Sequence, residues 1–211
     1  MRKQEKVKLI IERLSAEYPE STCTLDYNEA WKLLVSVRLA AQCTDERVNR
    51  IVPELFNKFP SVEALAKARV EEIEEIIKPC GLFHSKAKDI SACMKMLHEE
   101  FKDRVPDNME DLLRLPGVGR KSANLVLGDV FGKPAIVTDT HCIRLSNRLG
   151  LVKDEKDPTK VEMALRKIVP PEDGNALCHR FVDHGRMVCT ARTKPYCDRC
   201  VLADICPSEG K

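Results

Sequence analysis

Hydrophobic residues recur at intervals of three and four along almost the whole of this 211-residue chain. That spacing places them on one face of an α-helix, where they can be buried together. The clearest sets are Val7, Ile10, Ile11, Leu14 and Tyr18; Ala87, Ile90, Met94, Leu97 and Phe101; Ala123, Val126, Leu127 and Val130; and Val161, Ala164, Leu165 and Ile168. No segment alternates apolar and polar residues between hairpin turns, as β-strands do. The pattern therefore predicts an all-α fold of roughly ten helices.

Polar residues and prolines mark where several of these helices begin. Ser85 is the expected N-cap of the helix that carries the second set, and Asn108 is the expected cap of a short helix that follows it. Asp157 and Pro158 form a cap followed by proline at the first helical position. Pro53 interrupts a periodic stretch, where we expect a kink or a helix restart.

The composition is that of a globular protein long enough for one ordinary domain or two small ones. No apolar run approaches the ~20 residues needed to span a bilayer. The start of the chain, MRKQEKVKLIIERL, lacks the apolar stretch of a secretory signal, so we expect a cytoplasmic protein with no membrane partner. The net charge of +2 is too small for a protein that coats nucleic acid through its overall charge. Any DNA partner would need a local basic surface.

The stretch LPGVGRK, residues 115–121, fits a tight connection between two helices. Pro116 and Gly117 would end the first helix, Gly119 would let the backbone turn without a Cβ, and the second helix would start near Arg120. The N–H groups at such a turn and at the following helix N-terminus can bind an anion such as a DNA phosphate. The alternative is a plain helix–helix turn that binds no ligand.

Lys121 follows this turn directly, at the start of the second helix. The positive end of the helix dipole disfavours an ammonium group there, and partial burial would lower the pKa of the amine further. A neutral amine can form a Schiff base with a sugar carbon. The alternative is a lysine that stays cationic and binds a second phosphate.

The tail CTARTKPYCDRCVLADIC contains four of the ten cysteines, in the spacing C-x7-C-x2-C-x5-C. Zinc and iron–sulfur clusters both accept four thiolates. Only one C-x2-C pair occurs, whereas zinc sites usually have two, so the spacing favours a [4Fe–4S] cluster held by Cys189, Cys197, Cys200 and Cys206. Arg192, Lys194 and Arg199 lie between these cysteines and either face DNA or are simply solvated. We expect the other six to pack as small hydrophobes: Cys23, Cys43, Cys80, Cys93, Cys142 and Cys178.

The all-α pattern is combined with five motifs: LAAQCTD (39–45), GLFHSKA (81–87), PGVGRK, VTDTH and the four-cysteine tail. With these features the chain closely resembles the endonuclease III family. These are bifunctional DNA glycosylases with AP-lyase activity. The resemblance covers nearly the whole chain and departs from the family pattern at one point. Seven residues separate the first two tail cysteines, where six are expected, which makes the geometry of that loop harder to predict.

The resemblance implies roles for individual residues. The family's catalytic lysine matches Lys121 and its essential aspartate matches Asp139, which the sequence alone also predicts to be a helix N-cap. Gln42 matches the residue that fills the gap left by a flipped nucleotide, and Leu82 the wedge that enters the opposite strand. His141 completes the DTH motif and is expected to be structural. The hairpin residues that would contact DNA are Gly117, Val118, Gly119 and Arg120.

The resemblance also implies an architecture and a substrate. A six-helix barrel domain with the helix–hairpin–helix would span 23–134, and a cluster domain would combine 1–22 with 135–211, the two flanking a DNA cleft. The substrate would be duplex DNA that contains damaged bases or abasic sites. In this family the damaged bases are expected to be oxidised pyrimidines. A one-site enzyme on DNA has no need of a dimer, so we expect a monomer.

Three other interpretations fit parts of the sequence. An adenine-specific glycosylase of the same superfamily usually lacks the lysine, whereas this chain has Lys121. A non-catalytic DNA-binding module could use the hairpin together with a zinc-stabilised tail. An electron carrier could use the cluster, although a long helical body with one cluster near its end is unusual for that role.

Overall fold

The computed structural model describes residues 2–210, which form eleven α-helices, four 3-10 turns and no strand, so the all-α prediction is confirmed. The helices are α1 (Lys3–Glu17), α2 (Ala30–Leu39), α3 (Asp45–Lys58), α4 (Val62–Lys67), α5 (Val70–Ile77), α6 (Phe83–Phe101), α7 (Met109–Arg114), α8 (Arg120–Asp129), α9 (Thr140–Arg148), α10 (Pro158–Leu165) and α11 (Gly174–Met187). The 3-10 turns are Lys78–Cys80, Pro171–Asp173, Cys197–Arg199 and Ala203–Ile205.

The chain divides into two compact units. The first unit is Thr24–Phe131 and contains α2 to α8. The second unit combines the chain up to Cys23 with the chain from Gly132 onward, and contains α1 and α9 to α11. No helix between residues 2 and 210 is long and apolar enough to cross a membrane.

The periodic apolar residues form a separate core in each unit. In the first unit α6 packs against α4 and α5 through Ala87, Ile90, Met94 and Leu97, each at most 2% exposed. In the second unit α1 packs against α11 through its own periodic set, of which Val7, Ile10 and Leu14 are fully buried. Each buried side chain of leucine size stabilises its unit by about 1.5–3 kcal/mol.

Three of the predicted N-caps accept the expected backbone hydrogen bond. Asn108 accepts from the N–H of Asp111 at 2.9 Å, and Asp157 accepts from the N–H of Lys160 at 2.8 Å. Asp139 caps α9 in the same way. These side chains satisfy donors that a helix start leaves without an intrahelical partner, which fixes where the three helices begin.

The predicted cap at Ser85 is wrong. The chain enters α6 through Gly81 and Leu82, both in the left-handed region, with φ of 67° and 49°. The helix therefore begins at Phe83, and Ser85 falls inside its first turn. There the Ser85 hydroxyl donates to the carbonyl of Leu82 at 3.0 Å instead of accepting from a backbone N–H.

Pro53 does not restart a helix, because α3 continues through it as one element. The ring removes one donor from the middle of the helix. Val48, Val52 and Leu55 are buried on both sides of the proline, at 0–2% exposure. Their burial offsets the lost hydrogen bond, and tertiary packing overrides the local preference.

The hairpin between α7 and α8 depends on Gly117 and not on Gly119, which corrects the sequence expectation. Gly117 has φ of 75°, and a Cβ added to it would lie 2.9 Å from Cβ of Asp89 and 3.1 Å from Cδ of Arg38. Gly119 has φ of −96°, which any residue can adopt, and an added Cβ would meet nothing within 4 Å. The conformational requirement therefore lies two residues earlier than the sequence suggested.

We predict that Gly117→Ala destabilises the protein and that Gly119→Ala does not. The first substitution combines a left-handed alanine with overpacking against Asp89, for a total of about 2–4 kcal/mol of unfolding free energy. Urea unfolding of both variants measures the difference. Equal stabilities of the two variants would show that the hairpin does not need its close approach to α6.

Candidate nucleic-acid interface and metal centre

The hairpin presents an open backbone surface at the start of α8. The turn is closed by the N–H of Val118, which donates to the carbonyl of Leu115 at 3.1 Å. Gly119 is the N-cap of α8 and offers no side-chain cap to the first-turn N–H groups. Gly117 and Gly119 are exposed and Val118 is half-buried. A helix start without a side-chain cap, beside exposed glycines, is a surface that a phosphate can approach closely.

A paired arginine supports this turn from below. Arg38 of α2 binds Asp89 of α6, with Nε at 2.7 Å and Nη2 at 2.6 Å from the same carboxylate oxygen. The side chains of Arg38 and Asp89 are 23% and 34% exposed, so water screens the pair only partly. The hairpin backbone at Gly117 lies against this pair. The pair thus determines how closely the turn packs against α2 and α6. The periodicity of the sequence does not reveal this contact.

Lys121 occupies the first turn of α8, as the sequence predicts, but its side chain is exposed. The side chain is therefore not partly buried in the protein without DNA. Arg120, the residue before it, is half-buried. An exposed amine beside this turn is accessible to any ligand that the turn binds.

Gln42 and Leu82 share an uncommon backbone conformation. Gln42 has φ of 55° and Leu82 has φ of 49°, in the left-handed region that side chains other than glycine rarely adopt. Both residues are exposed, and Leu82 is the most exposed of the large hydrophobic residues, at 57%. Strained, exposed residues of this kind cluster at ligand-binding sites. Both lie in the first unit, as the hairpin does.

Asp139 belongs to the second unit, where it is half-buried. Its Oδ1 accepts from the N–H of Cys142 at 2.7 Å and so caps α9. The cap uses one carboxylate oxygen and leaves Oδ2 outside this hydrogen bond. The predicted capping role is confirmed.

His141 is held in a structural position. Its Nδ1 lies 3.1 Å from Nη2 of Arg144, and a Cβ added to Gly185 would come within 2.5 Å of that ring nitrogen. Arg144 also donates to the carbonyls of Gly185 and Cys189, both at 3.0 Å. Burial lowers the pKa of Arg144. This close packing joins α9 to α11 and supports the first tail cysteine.

The four tail cysteines line one cavity in the second unit. All four are half-buried free thiols: Cys189, Cys197, Cys200 and Cys206. The tail that carries them is anchored by Arg13 of α1, which pairs with Asp204 and donates to the carbonyl of Val201 at 3.0 Å. The sequence spacing therefore corresponds to a real convergence of sulfur atoms.

Polar groups around this cavity suit thiolates. Nη1 of Arg148 donates to Sγ of Cys189 at 3.2 Å, and the N–H of Leu202 donates to Sγ of Cys200 at 3.4 Å. Burial raises the pKa of Cys200, so that thiol keeps its proton until a cation displaces it. Donors directed at sulfur are typical of the shell around a metal–thiolate site.

His184 adds a further contact to the same sulfur. Burial lowers the pKa of His184 to about 4, so the imidazole is neutral at pH 7. Its Nδ1 lies 3.0 Å from the hydroxyl of Tyr18, and its Nε2 lies 3.4 Å from Sγ of Cys200. Burial also raises the pKa of Tyr18 to about 12, so the phenol keeps its proton at pH 7. The neutral imidazole therefore links the Tyr18 hydroxyl to the Cys200 sulfur.

The four cysteines match the ligand set of a [4Fe–4S] cluster, in which each iron atom is bound by one cysteine. Four thiolates can also hold a single zinc ion, the alternative that the sequence left open. Within residues 2–210 no group of three or more His, Cys, Asp or Glu side chains is already arranged to hold a metal ion.

The loop between the first two tail cysteines accommodates its seven residues by internal hydrogen bonds. The N–H of Tyr196 donates to the carbonyl of Val188 at 3.1 Å and closes the loop at its base. The hydroxyls of Thr190 and Thr193 lie 2.9 Å apart across it. Arg192 and Lys194 are exposed on this loop. Arg199, which follows Cys197, is also exposed and stacks on the ring of Tyr196 at 4.5 Å.

The remaining cysteines mostly pack in the cores, as predicted. Four of the six are buried: Cys80, Cys93, Cys142 and Cys178. Burial raises the pKa of Cys93 to about 12, so it is an unreactive thiol. Cys23 and Cys43 are half-buried.

Sequence reasoning missed one buried charge near Gln42 and Leu82. Lys86 in α6 is fully buried. Its position was recoverable, because Lys86 precedes Ile90, Cys93 and Leu97 at spacings of four, three and four and so falls on the apolar face of its helix. The motif GLFHSKA, which contains Lys86, supports the family resemblance but does not by itself indicate that this lysine is buried.

Comparison with known proteins agrees with this geometry. Residues 35–171 match the family model of the HhH-GPD superfamily base excision DNA repair proteins. Endonuclease III of Synechocystis sp. is 49% identical over 95% of this chain and 90% of its own length. Endonuclease III of Bacillus subtilis is 38% identical over 96% of this chain and 92% of its own length.

A solved structure also superposes on nearly the whole chain. It is a trapped endonuclease III–DNA covalent intermediate with an estranged adenine, with a TM-score of 0.92, 35% identity, and coverage of 99% of this chain and 98% of that one. The hairpin, the four-cysteine tail and these matches lead to one assignment. The chain belongs to the HhH-GPD superfamily of base excision DNA repair proteins and, within it, to the endonuclease III family.

Proposed function

We propose that this protein is a DNA glycosylase with AP-lyase activity that removes damaged bases, by family expectation oxidised pyrimidines, from duplex DNA. The observation that carries the proposal is Lys121, exposed in the first turn of the helix that the Gly117 hairpin begins. Relatives named endonuclease III support it over nearly the full chain. The protein would act on chromosomal DNA in the cytoplasm of a bacterial or archaeal cell.

The hairpin holds the DNA backbone without reading its sequence. The exposed glycines let a phosphate oxygen approach the turn, and the first-turn N–H groups of α8 donate to it. Gly117, Val118, Gly119 and Arg120 form this contact. Since the contact is mainly with the backbone, it fixes the position of the strand relative to Lys121 at any sequence.

A base stacked inside a duplex is out of reach of Lys121, so the target nucleotide is extruded. Extrusion costs a few kcal/mol, and less for a damaged base that stacks poorly. Gln42 fills the space left in the duplex and Leu82 enters the opposite strand. Their exposure and their left-handed backbones, which residues other than glycine rarely adopt, support these roles.

Lys121 then acts as the nucleophile. Its amine attacks C1′ of the extruded nucleotide as the bond to the base breaks, and opening of the sugar ring at the C1′–O4′ bond gives the Schiff base. β-Elimination then removes a proton from C2′ and expels the 3′ phosphate from C3′, which cuts the strand 3′ to the lesion. In the free protein the side chain is exposed to water. DNA bound on the hairpin would cover it and exclude water from the reacting atoms.

Asp139 accepts the proton that Lys121 loses, or stabilises the positive charge that develops on the sugar. The cap of α9 orients its carboxylate through Oδ1 and leaves Oδ2 for this purpose. Structure and catalysis thus place compatible demands on this residue.

The tail holds a [4Fe–4S] cluster through Cys189, Cys197, Cys200 and Cys206. When bound, the cluster supplies the cross-links that fold a segment with little regular structure of its own. The chain's own residues do the rest: Arg148 and Leu202 donate to two of the sulfur atoms, and the folded loop presents Arg192 and Lys194 to the DNA backbone.

We predict that Lys121→Gln abolishes strand cleavage at an abasic site while duplex binding persists. The amide cannot form a Schiff base, whereas the hairpin that binds the phosphate is unchanged. Borohydride trapping on an abasic duplex measures the covalent intermediate, and a gel-shift assay measures binding. Lys95→Gln is the matched control, since Lys95 is an exposed lysine on α6. A trapped adduct with Lys121→Gln would show that Lys121 is not the nucleophile, whereas the absence of an adduct with the parent protein would favour a protein that only binds DNA.

We predict that the purified protein carries about four iron and four sulfide atoms per chain, with the visible absorbance of a [4Fe–4S] cluster. Cys200→Ala should lose most of this absorbance, because it removes a ligand that no neighbouring thiol replaces. Cys93→Ala is the matched control, since it removes a buried thiol in the other unit. Stoichiometric zinc without iron, or equal iron in the two variants, would contradict the assignment.

A further inference from the structure

Lys86 is a charged residue in the core of the first unit. Its side chain is fully buried, and it is among the largest side chains with no exposed surface. Burial of an ammonium group away from water is costly unless hydrogen bonds replace its hydration. A leucine or methionine would fill the same space on the apolar face of α6 without that cost. Packing alone therefore does not account for a lysine at this position.

The amine of Lys86 joins two separate segments of backbone. Its Nζ donates to the carbonyl of Leu39 at 2.8 Å and to the carbonyl of Cys80 at 2.9 Å. Leu39 is the last residue of α2, and Cys80 is the last residue of the 3-10 turn Lys78–Cys80. Carbonyls at helix ends lack intrahelical partners and carry partial negative charge, so a buried cation suits both.

No carboxylate in the described part of the chain is among the titratable groups that act on this amine. Those groups are the thiols of Cys80 and Cys43 and the guanidinium of Arg38. Burial raises the pKa of Cys80 to about 11, so that group is an uncharged thiol at pH 7. The two backbone carbonyls are therefore the main partners of the amine.

Both joined segments lead directly to the left-handed residues. Gln42 follows Leu39 by three residues, and Leu82 follows Cys80 by two. A left-handed backbone at a residue with a side chain persists only where the surrounding structure holds it. Two hydrogen bonds from a single rigidly packed amine set the separation of the two loops, and so of the two side chains they carry.

We propose that Lys86 is a positioning residue that holds the Gln42 loop and the Leu82 loop at the separation needed for both side chains to enter the duplex together. This inference rests on the proposed roles of Gln42 and Leu82. Lys86 itself touches no DNA, since its side chain is fully buried.

The test compares cleavage of an abasic site in duplex DNA with cleavage of the same site in a single strand. A single strand has no partner strand to invade, so its cleavage needs the hairpin and Lys121 but not the two loops. We expect Lys86→Met and Leu82→Ala each to lower kcat/KM on duplex DNA by about 10- to 100-fold. Single-strand cleavage by the same preparations should change by less than about twofold, because the chemical step is untouched. The double variant should be no worse than the poorer single one, since both act on one event.

A second readout follows insertion directly. The fluorescence of 2-aminopurine placed opposite an abasic site reports its unstacking when the wedge enters. With the parent protein the signal should rise on binding, and with Lys86→Met it should rise to less than half of the parental amplitude at saturating protein. A residue that serves only core stability would leave this amplitude unchanged in the folded fraction.

The outcomes separate this inference from the function on which it rests. Parental duplex activity of Lys86→Met, or equal losses on duplex and single strand, would reject the role of Lys86. If Leu82→Ala has no duplex-specific defect, the wedge role itself fails, whereas a defect in Leu82→Ala alone rejects only Lys86. Lys86→Gln, which retains an N–H donor, is the second variant if Lys86→Met does not fold. Failure of both to fold would make Lys86 a purely structural residue and would also reject the proposal.

Discussion

The close approach of the Gly117 backbone to the Arg38–Asp89 ion pair is the contact on which the candidate site depends. Because Gly117 has no Cβ, the turn lies directly against side chains of α2 and α6. The turn in turn determines where α8 begins, and therefore where its first-turn N–H groups and Lys121 stand. If a Cβ at position 117 pushed the turn away from this pair, every group that we assign to phosphate binding and nucleophilic attack would move with it.

Cations bound to backbone carbonyls recur in both units, fully buried at Lys86 and half-buried at Arg144. Lys86 binds the carbonyls of Leu39 and Cys80, and Arg144 binds those of Gly185 and Cys189. In each case the carbonyl belongs to the end of a helix or to a loop, where no regular partner exists. Such a cation contributes little net stability compared with an apolar side chain of the same size. It does fix the position of an irregular segment, and the irregular segments carry the proposed functional residues.

The sequence predicted the features that depend on local chemistry and missed those that depend on distant contacts. The helical faces and the caps at Asn108, Asp139 and Asp157 follow from residues within one turn of each other. The cap at Ser85 failed because Leu82, in a left-handed conformation, is the N-cap and the helix begins at Phe83. The exchange of roles between Gly117 and Gly119 depends on Asp89, nearly thirty positions earlier in the chain. The exposure of Lys121 was equally unreadable, because burial is a property of the folded surface.

The energetics of the two left-handed residues suggest why the free protein holds them in place. Each left-handed residue with a side chain costs about 1–2 kcal/mol, and Leu82 in addition leaves an apolar side chain in water. Burial of that leucine inside a duplex would return about 1.5–3 kcal/mol, which is comparable to the few kcal/mol needed to extrude a base. The strain is incurred during folding, when the cores stabilise it, and not at the moment of binding. A wedge that is already positioned can therefore devote its burial energy to opening the duplex, and damaged bases, which stack poorly, would be extruded first.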